Sequence, residues 1–261
     1  MEISAENPGV AIVTGAASGI GAAVARVLAA RGTAVAAVDR DAERLRESVG
    51  KIAAEGGRIE AVAADVTDPA EVEGAVDRAA ELLGPADYLV NAAGILRTGT
   101  AVELTERDWS ETLAVNATGV FLMSQAVVRR MLPRRSGALV TIVSNAAGTA
   151  RVAMSAYAAS KAAAEMYTKC LGLEVAGHGI RCNLVAPGST ETPMLVGMWS
   201  DETGRDATIN GSLESYKAGI PLRRLADPRN IADAVAFLLS DQASHITMHT
   251  LTVDGGATLG V

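Results

Sequence analysis

Short, almost entirely apolar runs alternate along the chain with longer stretches that mix apolar and charged residues. Between most of the runs lie amphipathic stretches of 12 or more residues, rich in Ala, Glu, Arg and Leu, which are typical of helices buried on one side. The short runs predict strands, and they are VAIVT (10–14), AVAAV (34–38), IEAVAA (59–64), YLVN (88–91), LVTIVS (139–144), IRCNLV (180–185) and TLTV (250–253).

This alternation predicts a parallel sheet, because parallel neighbours need a crossover connection, which is usually a helix. Strands without polar alternation are typical of a sheet that is covered on both faces. The expected fold class is therefore α/β, a Rossmann-type doubly wound sheet of about seven parallel strands with helices on both faces. Since the sequence shows no repeat, linker or low-complexity tract, we expect residues 1–261 to form a single domain.

One region departs from the alternation. Residues 194–217, MLVGMWSDETGRDATINGSLESYK, mix apolar residues with glycines and charges, and they follow the carboxyl end of a predicted strand. Open α/β sheets bind their ligands at that edge. We expect the segment to form a lid over a substrate site, and a plain surface excursion is the alternative.

The charge balance favours a small-molecule partner. The chain carries a formal charge of -7, which disfavours nucleic acid because affinity for phosphates comes largely from Lys and Arg. Cys170 and Cys182 lie in no CxxC or metal-ligand spacing, so neither a disulfide framework nor a metal site is predicted. The acidic N-terminus is unlike a secretory signal, and no apolar run is long enough to span a membrane. We expect a cytoplasmic protein.

The stretch VAIVTGAASGIGAAVARVLAARG (10–32) predicts a strand, a glycine-rich turn and a helix. Glycines let the backbone approach a pyrophosphate, and the following helix presents free N–H groups and a positive dipole end to it. A turn that only packs the helix on the strand is the alternative. The residues expected to bind the cofactor here are Gly15, Gly19 and Gly21, in the spacing G-x-x-x-G-x-G, with Ser18 and Ile20 between them.

The second strand ends in Asp39, 18 residues after Gly21. A carboxylate at this place accepts hydrogen bonds from the ribose hydroxyls of the adenosine half and repels a 2′-phosphate. NAD is therefore favoured over NADP as the cofactor.

Two more strand ends fit the same cofactor. Asp65, with Val66 beside it, lies where it could meet the adenine amino group. Asn91 ends the fourth predicted strand, Ala92 and Gly94 follow it, and all three are expected near the middle of the cofactor. For Asn91, a structural role that ties neighbouring strand ends together is the alternative.

Tyr157 and Lys161 lie four residues apart in SAYAASKAAAEM (155–166), so they share one face of the predicted helix. A phenol with a pKa of about 10 is a poor base at neutral pH unless its anion is stabilised. Lowering that pKa by about three units requires about 4 kcal/mol, which one ammonium at about 4 Å supplies at an effective dielectric of about 20. We expect Lys161 to make Tyr157 a base in this way.

Two polar residues complete the predicted catalytic group. Ser144 precedes Tyr157 by 13 residues; it can hold a substrate hydroxyl while Tyr157 takes the proton and hydride leaves the same carbon for NAD. Asn116 is polar within an apolar helix, where a proton relay through water and a kink in the helix are competing roles.

Six motifs in order resemble the short-chain dehydrogenase/reductase family over essentially the whole chain: TGxxxGIG (14–21), NAAG (91–94), the Asn of NATG (116–119), Ser144, YxxxK (157–161) and PGxxxT (187–192). The resemblance implies a homotetramer. It implies Tyr157 as general base, Lys161 as pKa-lowering and ribose-binding, Ser144 as substrate-orienting, Asn116 as relay, and Pro187, Gly188 and Thr192 at the nicotinamide carboxamide. SNAAG departs from the family pattern by one extra residue, which leaves the shape of that loop open.

Finer features, among them NAAGILRTG (91–99), resemble a branch of the family that oxidises a cyclohexadiene diol carboxylate to an aromatic catechol acid in siderophore biosynthesis, with NAD as hydride acceptor. Such a cyclic acid needs a cation, and a guanidinium can grip a carboxylate through two hydrogen bonds. Arg97 and Arg151 are the candidates, with a solvated surface charge as the alternative for each. Met154 and Trp199 are candidates for contact with the ring.

Three alternatives stay open. The substrate could be a dihydro-3-hydroxyanthranilate, an amino analogue from antibiotic pathways, whose amine would suit a carboxylate such as Glu191. It could also be a small neutral alcohol or carbonyl compound. From another class, the protein could be an NAD(H)-binding sensor without turnover, although all four presumed catalytic residues are present.

Overall fold

The computed structural model describes residues 9–199 and 201–260. Its strands are β1 Val10–Thr14, β2 Ala34–Asp39, β3 Ile59–Ala63, β4 Tyr88–Asn91, β5 Gly137–Ile142, β6 Ile180–Pro187, β7 Gly211–Ser212, β8 Lys217–Ala218 and β9 Thr250–Val253. Seven of them form one parallel sheet in the order β3-β2-β1-β4-β5-β6-β9. The predicted fold class and the seven strands are confirmed, while the antiparallel pair β7-β8 was not predicted.

Helices cover both faces of this sheet. One face packs against α1, α2 and α9, and the other against α3, α5 and α6. The helices are α1 Gly19–Ala30, α2 Ala42–Ala54, α3 Pro69–Leu83, α4 Glu106–Leu113, α5 Gly119–Met131, α6 Ser155–Val175, α7 Pro193–Val196, α8 Gly204–Asn210 and α9 Pro228–Leu239.

The central strands show why apolar runs without alternation predicted two covered faces. In β2, Ala34 is 2% exposed and Val35, Ala36, Ala37 and Val38 are fully buried. Val35 and Ala37 belong to the core beneath α1 and α9, whereas Ala36 and Val38 belong to the core beneath α3 and α5. Successive side chains of a strand alternate between faces, so both faces must be apolar.

Asp-Pro pairs set the start of two of these helices. The Asp68 carboxylate accepts hydrogen bonds from the backbone N–H groups of Ala70 and Glu71, and Pro69 follows at the first helical position of α3. Asp227 and Pro228 start α9 in the same way. An aspartate cap satisfies N–H groups that have no partner within the helix, and proline's fixed φ suits the first turn.

The strand order reverses at β1, which pairs with β2 on one side and with β4 on the other. The loops that follow β1 and β4 therefore lead to opposite faces and leave a crevice at the carboxyl edge of the sheet. Ligands of open α/β sheets bind in such a crevice.

The sequence predicts neither a membrane span nor a secretory signal. Within the described ranges, the structure has no helix with both the length and the apolar character that a membrane span requires. The acidic N-terminal residues 1–8, from which we expect no secretory signal, lie outside the described residues.

Candidate functional site

A cavity of about 610 Å³ opens at the carboxyl edge of the sheet. Most residues predicted for the site line it. They are Gly15, Ser18, Gly19, Ile20, Gly21, Asp39, Asp65, Val66, Ala92, Gly94, Ser144, Arg151, Met154, Tyr157, Lys161, Pro187, Gly188 and Thr192. Four predicted residues do not line it: Asn91, Arg97, Asn116 and Trp199.

The glycine turn between β1 and α1 leaves no room for side chains. A Cβ on Gly21 would lie 2.2 Å from the carbonyl oxygen of Gly15, and one on Gly15 would lie 2.8 Å from the backbone of Ala93. Gly15 also has a φ of +69°, in the left-handed region that favours glycine. The turn is thus a close approach of backbone to backbone at the mouth of the cavity.

The start of α1 offers backbone donors to this cavity. Ser18 is its N-cap residue, and its side chain makes no capping hydrogen bond to the first turn. The first N–H groups of a helix have no partner within it, and with the helix dipole they attract anions. Thr192 packs beside the turn, since a Cβ on Gly19 would lie 3.5 Å from its methyl carbon. These features fit the pyrophosphate of a dinucleotide.

Asp39 lies at the end of β2, beside the glycine turn. Its Oδ2 accepts a hydrogen bond from the Ala17 N–H at 3.1 Å, and its Oδ1 accepts one from the Asp41 N–H at 3.0 Å. These bonds fix the carboxylate at the wall of the cavity, where its free lone pairs are available to hydroxyl groups.

Asp65 lies farther along the same wall. Its Oδ1 accepts hydrogen bonds from the Thr67 backbone N–H at 2.9 Å and from the Thr67 hydroxyl at 2.7 Å. Partial burial raises the pKa of Asp65, but these two hydrogen bonds and the charge of Arg40 outweigh that effect and lower it overall. Asp65 is therefore a fixed, ionised acceptor.

Asn91 is buried and does not line the cavity. Its position agrees with the structural alternative, in which it ties neighbouring strand ends together. Its Nδ2 donates to the Ser124 hydroxyl at 2.9 Å and to Thr141 Oγ1 at 3.4 Å, which joins β4 to α5 and β5. Its Oδ1 has no hydrogen-bond partner among the described residues.

Tyr157 lies in the first turn of α6, and Ser144 lies two residues beyond the end of β5 rather than within the strand. Burial raises the pKa of the Tyr157 hydroxyl, and a hydrogen bond with Ser144 lowers it only in part. The two hydroxyls thus meet inside the cavity, with the phenol protonated.

Lys161 shares the face of α6 with Tyr157, as its spacing predicted. Its Nζ lies 5.8 Å from the centroid of the Tyr157 ring and donates to the Ile142 carbonyl at 2.8 Å. Burial lowers the pKa of this ammonium to about 8. Burial raises the pKa of the phenol in this structure, and the role of Lys161 in making Tyr157 a base stays a prediction.

Asn116 lies in a π-helical turn, residues 114–118, between α4 and α5. Its Oδ1 accepts from the Ile95 N–H at 2.9 Å, and its Nδ2 donates to the Ile95 carbonyl at 2.9 Å and to the Ser160 hydroxyl at 3.0 Å. Such turns disturb the regular helix and occur often at functional sites. The π-helical turn agrees with the structural alternative, a kink in the helix, and the hydrogen bonds of Asn116 also link the loop after β4 to α6.

The loop that connects Ser144 to α6 is held at both ends. The Asn145 amide donates to Asp254 Oδ2 at 3.2 Å, and the Gly99 N–H donates to the Ala153 carbonyl at 3.1 Å. Ala153 has a φ of +60°, which is unfavourable for a residue with a side chain. This strained residue lies between Arg151 and Met154, which both line the cavity.

Within the segment 194–217, of which Ser200 lies outside the described residues, Met194, Leu195, Met198, Ser215 and Lys217 line the cavity. The segment contains α8 and β7, and parts of α7 and β8. The sequence did not predict Lys217 as a site residue, because only the mixture of glycines and charges distinguishes this segment from the rest of the chain.

Three predicted contacts fall outside the cavity. Arg97 is half-exposed, with ion pairs to Asp108 at 3.7 Å and Glu111 at 3.4 Å. Trp199 packs in a small apolar cluster of the segment and donates to Thr208 at 3.2 Å. Glu191, the candidate partner for an amine, pairs with Arg205 and does not line the cavity. For Arg97 and Trp199, direct substrate contact does not agree with these positions.

Known proteins resemble this chain over nearly its full length. The family model described as "Enoyl-(Acyl carrier protein) reductase" matches residues 15–258. The 2,3-dihydro-2,3-dihydroxybenzoate dehydrogenase of Bacillus subtilis (strain 168) is 56% identical over 252 residues, which is 97% of each chain. The enzyme of the same name from Escherichia coli (strain K12) is 42% identical over 248 residues, which is 95% of this chain and 96% of the relative.

The fold has a close counterpart among solved structures. The crystal structure of gox2181 superposes with a TM-score of 0.90 at 35% sequence identity, over 97% of this chain and 96% of that one. The sheet and its covering helices are therefore those of an established Rossmann-type architecture.

Proposed function

Because this chain belongs to the short-chain dehydrogenase/reductase family, and is thereby an oxidoreductase, we propose that it oxidises 2,3-dihydro-2,3-dihydroxybenzoate to the aromatic 2,3-dihydroxybenzoate. NAD is the proposed hydride acceptor, and siderophore biosynthesis is the proposed setting. The support is the relative of that name at 56% identity together with a cavity of matching chemistry.

One observation carries this proposal. The same cavity holds Asp39, the last residue of β2, and the glycine turn after β1 at its first end and, on the side of β5, Ser144 and Tyr157 with the cation Arg151 and the apolar Met154 of the loop between them. A cyclic diol with a carboxylate needs both a hydroxyl-binding pair and a cation within one molecule's reach.

The residues at the first end fit NAD. The N–H groups at the start of α1 would hold the pyrophosphate, Asp39 the adenosine ribose, Asp65 the adenine, and Lys161 the ribose next to the nicotinamide. Pro187, Gly188 and Thr192 would hold the carboxamide. When bound, the oxidised cofactor supplies a hydride acceptor and a positive charge near Tyr157.

The proton chemistry belongs to the side chains in the middle of the cavity. Ser144 would hold the substrate hydroxyl, and the Tyr157 oxygen would take its proton while hydride leaves the same carbon. With a pKa of about 8, Lys161 stays mostly protonated at pH 7 and stabilises the tyrosinate from within the site. Because burial raises the pKa of Tyr157, the positive charge of the oxidised cofactor would have to add to that of Lys161 to ionise the phenol.

We extend the proposal to three further features: a lid formed by segment 194–217, a cytoplasmic location and a homotetramer. The lid is supported by the side chains that the segment places in the cavity. The homotetramer is supported by exposed apolar side chains on α5 and α6, among them Phe121, Met166 and Leu173.

A substrate competition tests the proposed function. Purified protein with NAD is given the dihydrodiol acid, the amino analogue dihydro-3-hydroxyanthranilate, or the neutral cyclohexadiene diol, and NADH absorbance is followed. We expect the dihydrodiol acid to have the highest kcat/KM. A higher value for the amino analogue or the neutral diol would reject the substrate, and NADH binding without any turnover would favour a sensor.

The amino analogue receives no support from the structure, because Glu191 is paired with Arg205 outside the cavity. A carboxylate within the described part of the cavity wall lies only at the adenosine end, where Asp39, Asp41 and Asp65 are found. The substrate end therefore suits an anion and neutral hydroxyls better than a protonated amine.

A further inference from the structure

The substrate end of the cavity holds two cations that come from separate segments. Arg151 lies in the strained loop before α6, and Lys217 lies in β8, within segment 194–217. Burial lowers the pKa of Lys217, and the charge of Arg151 lowers it further. Both side chains line the same cavity, so their like charges act on each other across it.

Neither cation is paired within the described part of the chain. Among residues 9–199 and 201–260, Arg151 and Lys217 take part in no ion pair, whereas Arg97 and Arg205, outside the cavity, each pair with a carboxylate. Two like charges that share a partly buried cavity without a counterion are unfavourable. An anion between them would remove that repulsion.

The fold fixes Lys217 in this place. Ser212 pairs with Lys217 across the β7-β8 hairpin, and a Cβ on Gly211 would lie 2.4 Å from the Lys217 carbonyl oxygen. The preceding residue, Tyr216, has a φ of +51° and is 91% exposed, so the strained turn sends its phenol to solvent. The hairpin thus holds Lys217 against the cavity through tight backbone contacts.

We propose that Lys217 and Arg151 grip the substrate carboxylate together, as a carboxylate clamp between the lid and the loop before α6. The identity of the acid rests on the proposed function. A carboxylate has two oxygens with about four acceptor sites, so it can take a guanidinium on one side and an ammonium on the other. A ring without the carboxylate would leave the two cations facing each other, and the clamp would therefore select anionic rings.

Binding of the product tests the clamp without turnover. 2,3-Dihydroxybenzoate and catechol, which differ only in the carboxylate, are titrated into the NAD-bound protein and followed by calorimetry. We expect wild type to prefer the acid by about 100-fold. Lys217→Met should lower affinity for the acid by about tenfold and leave catechol unchanged, while Lys217→Arg should restore most of it.

The kinetic constants for the acid substrate should also report on the clamp. With the dihydrodiol acid, Lys217→Met should raise KM by about tenfold and change kcat little, because the clamp binds a part of the substrate that does not react. Lys51→Met is the matched control, since Lys51 is an exposed lysine in α2 and does not line the cavity. Melting curves of each variant establish that it is folded.

The outcomes separate the two proposals. An unchanged acid-to-catechol ratio in a folded Lys217→Met variant overturns the clamp, and so does a wild type that binds catechol as well as the acid. If the ratio falls as expected but wild type does not oxidise the dihydrodiol acid, the clamp stands and the proposed function fails.

Discussion

Backbone groups form most of one end of the cavity, and side chains form the other. At the proposed dinucleotide end, the site consists of a glycine turn, the first N–H groups of α1, and carboxylates at the end of β2 and two residues beyond the end of β3. At the substrate end, long side chains make it, and they come from a strained loop and a two-residue strand that are more than 60 residues apart.

This difference explains why one end is readable from sequence. A backbone site needs glycine where a Cβ would collide, as at Gly21. The residue type at such a position therefore indicates the site. A side-chain site needs only that two cations converge, and any arginine or lysine can do so. Arg97 and Arg151 are equivalent in sequence terms, yet only Arg151 lines the cavity.

The largest expected effect lies where the two ends meet. Tyr157→Phe should lower kcat with the dihydrodiol acid by about 1000-fold, because the variant lacks the phenol oxygen that is proposed to take the proton. NADH absorbance measures the rate. NADH binding should be unchanged, which separates the chemistry from the dinucleotide end.

Tyr167 provides the control on the same helix. Its hydroxyl donates to the Phe121 carbonyl at 3.4 Å, outside the cavity, and burial raises its pKa to about 12. The Tyr167→Phe variant should have the same kcat as wild type. Equal losses of kcat in both variants would mean that removing either phenol damages α6. The assignment of Tyr157 as the base would then be unsupported.

The next effect tests the backbone end alone. Gly21→Ala would place a Cβ 2.2 Å from the Gly15 carbonyl oxygen, and the turn would have to open. We expect NADH affinity, measured by fluorescence, to fall by about 100-fold. Gly74→Ala is the control: no atom lies within 4 Å of its added Cβ, so this change in α3 should stabilise the protein by about 1 kcal/mol. Full NADH affinity in Gly21→Ala would contradict the close-approach account.

A smaller effect sharpens the description of the same end. Asp39→Asn removes the charge that would repel a 2′-phosphate, so NAD affinity should fall by about tenfold and NADP affinity should rise. The ratio of the two Kd values measures this. Asp68→Asn, which keeps a capping side chain at α3, should leave the ratio unchanged. If wild type already prefers NADP, the assignment of Asp39 is wrong.

The smallest effect concerns the buried ammonium between the two ends. Lys161 has a pKa of about 8 when folded and about 10.4 when unfolded. Below pH 8 both states are protonated and the burial penalty is present in full; between these pKa values the unfolded state binds more protons, so stability rises with pH.

The free energy of unfolding of wild type relative to Lys161→Met, without cofactor, should therefore rise by about 1 kcal/mol from pH 7 to pH 9. Denaturant titration at each pH measures it, and the subtraction removes the contributions of Tyr157 and Cys182, whose pKa values are raised by burial. A difference that does not change with pH would mean that the ammonium is not buried in solution.

Sequence alone predicted the sheet, the glycine turn and the face shared by Tyr157 and Lys161, because strand burial and helical spacing are local properties. It did not predict that burial would raise the pKa of the Tyr157 phenol, since the depth of a side chain depends on the whole fold. Nor did it predict Lys217, because the backbone turn that places this residue, with Tyr216 in a left-handed conformation, has no glycine at that position to mark it.

A crystal structure with NADH and 2,3-dihydroxybenzoate would test the central claim, that one cavity orients both molecules across Tyr157. We predict the pyrophosphate at the start of α1, a catechol hydroxyl within hydrogen-bond distance of Ser144 and Tyr157, and the carboxylate between Arg151 and Lys217. A carboxylate bound away from both cations, or a catechol ring that does not contact Tyr157, would contradict it.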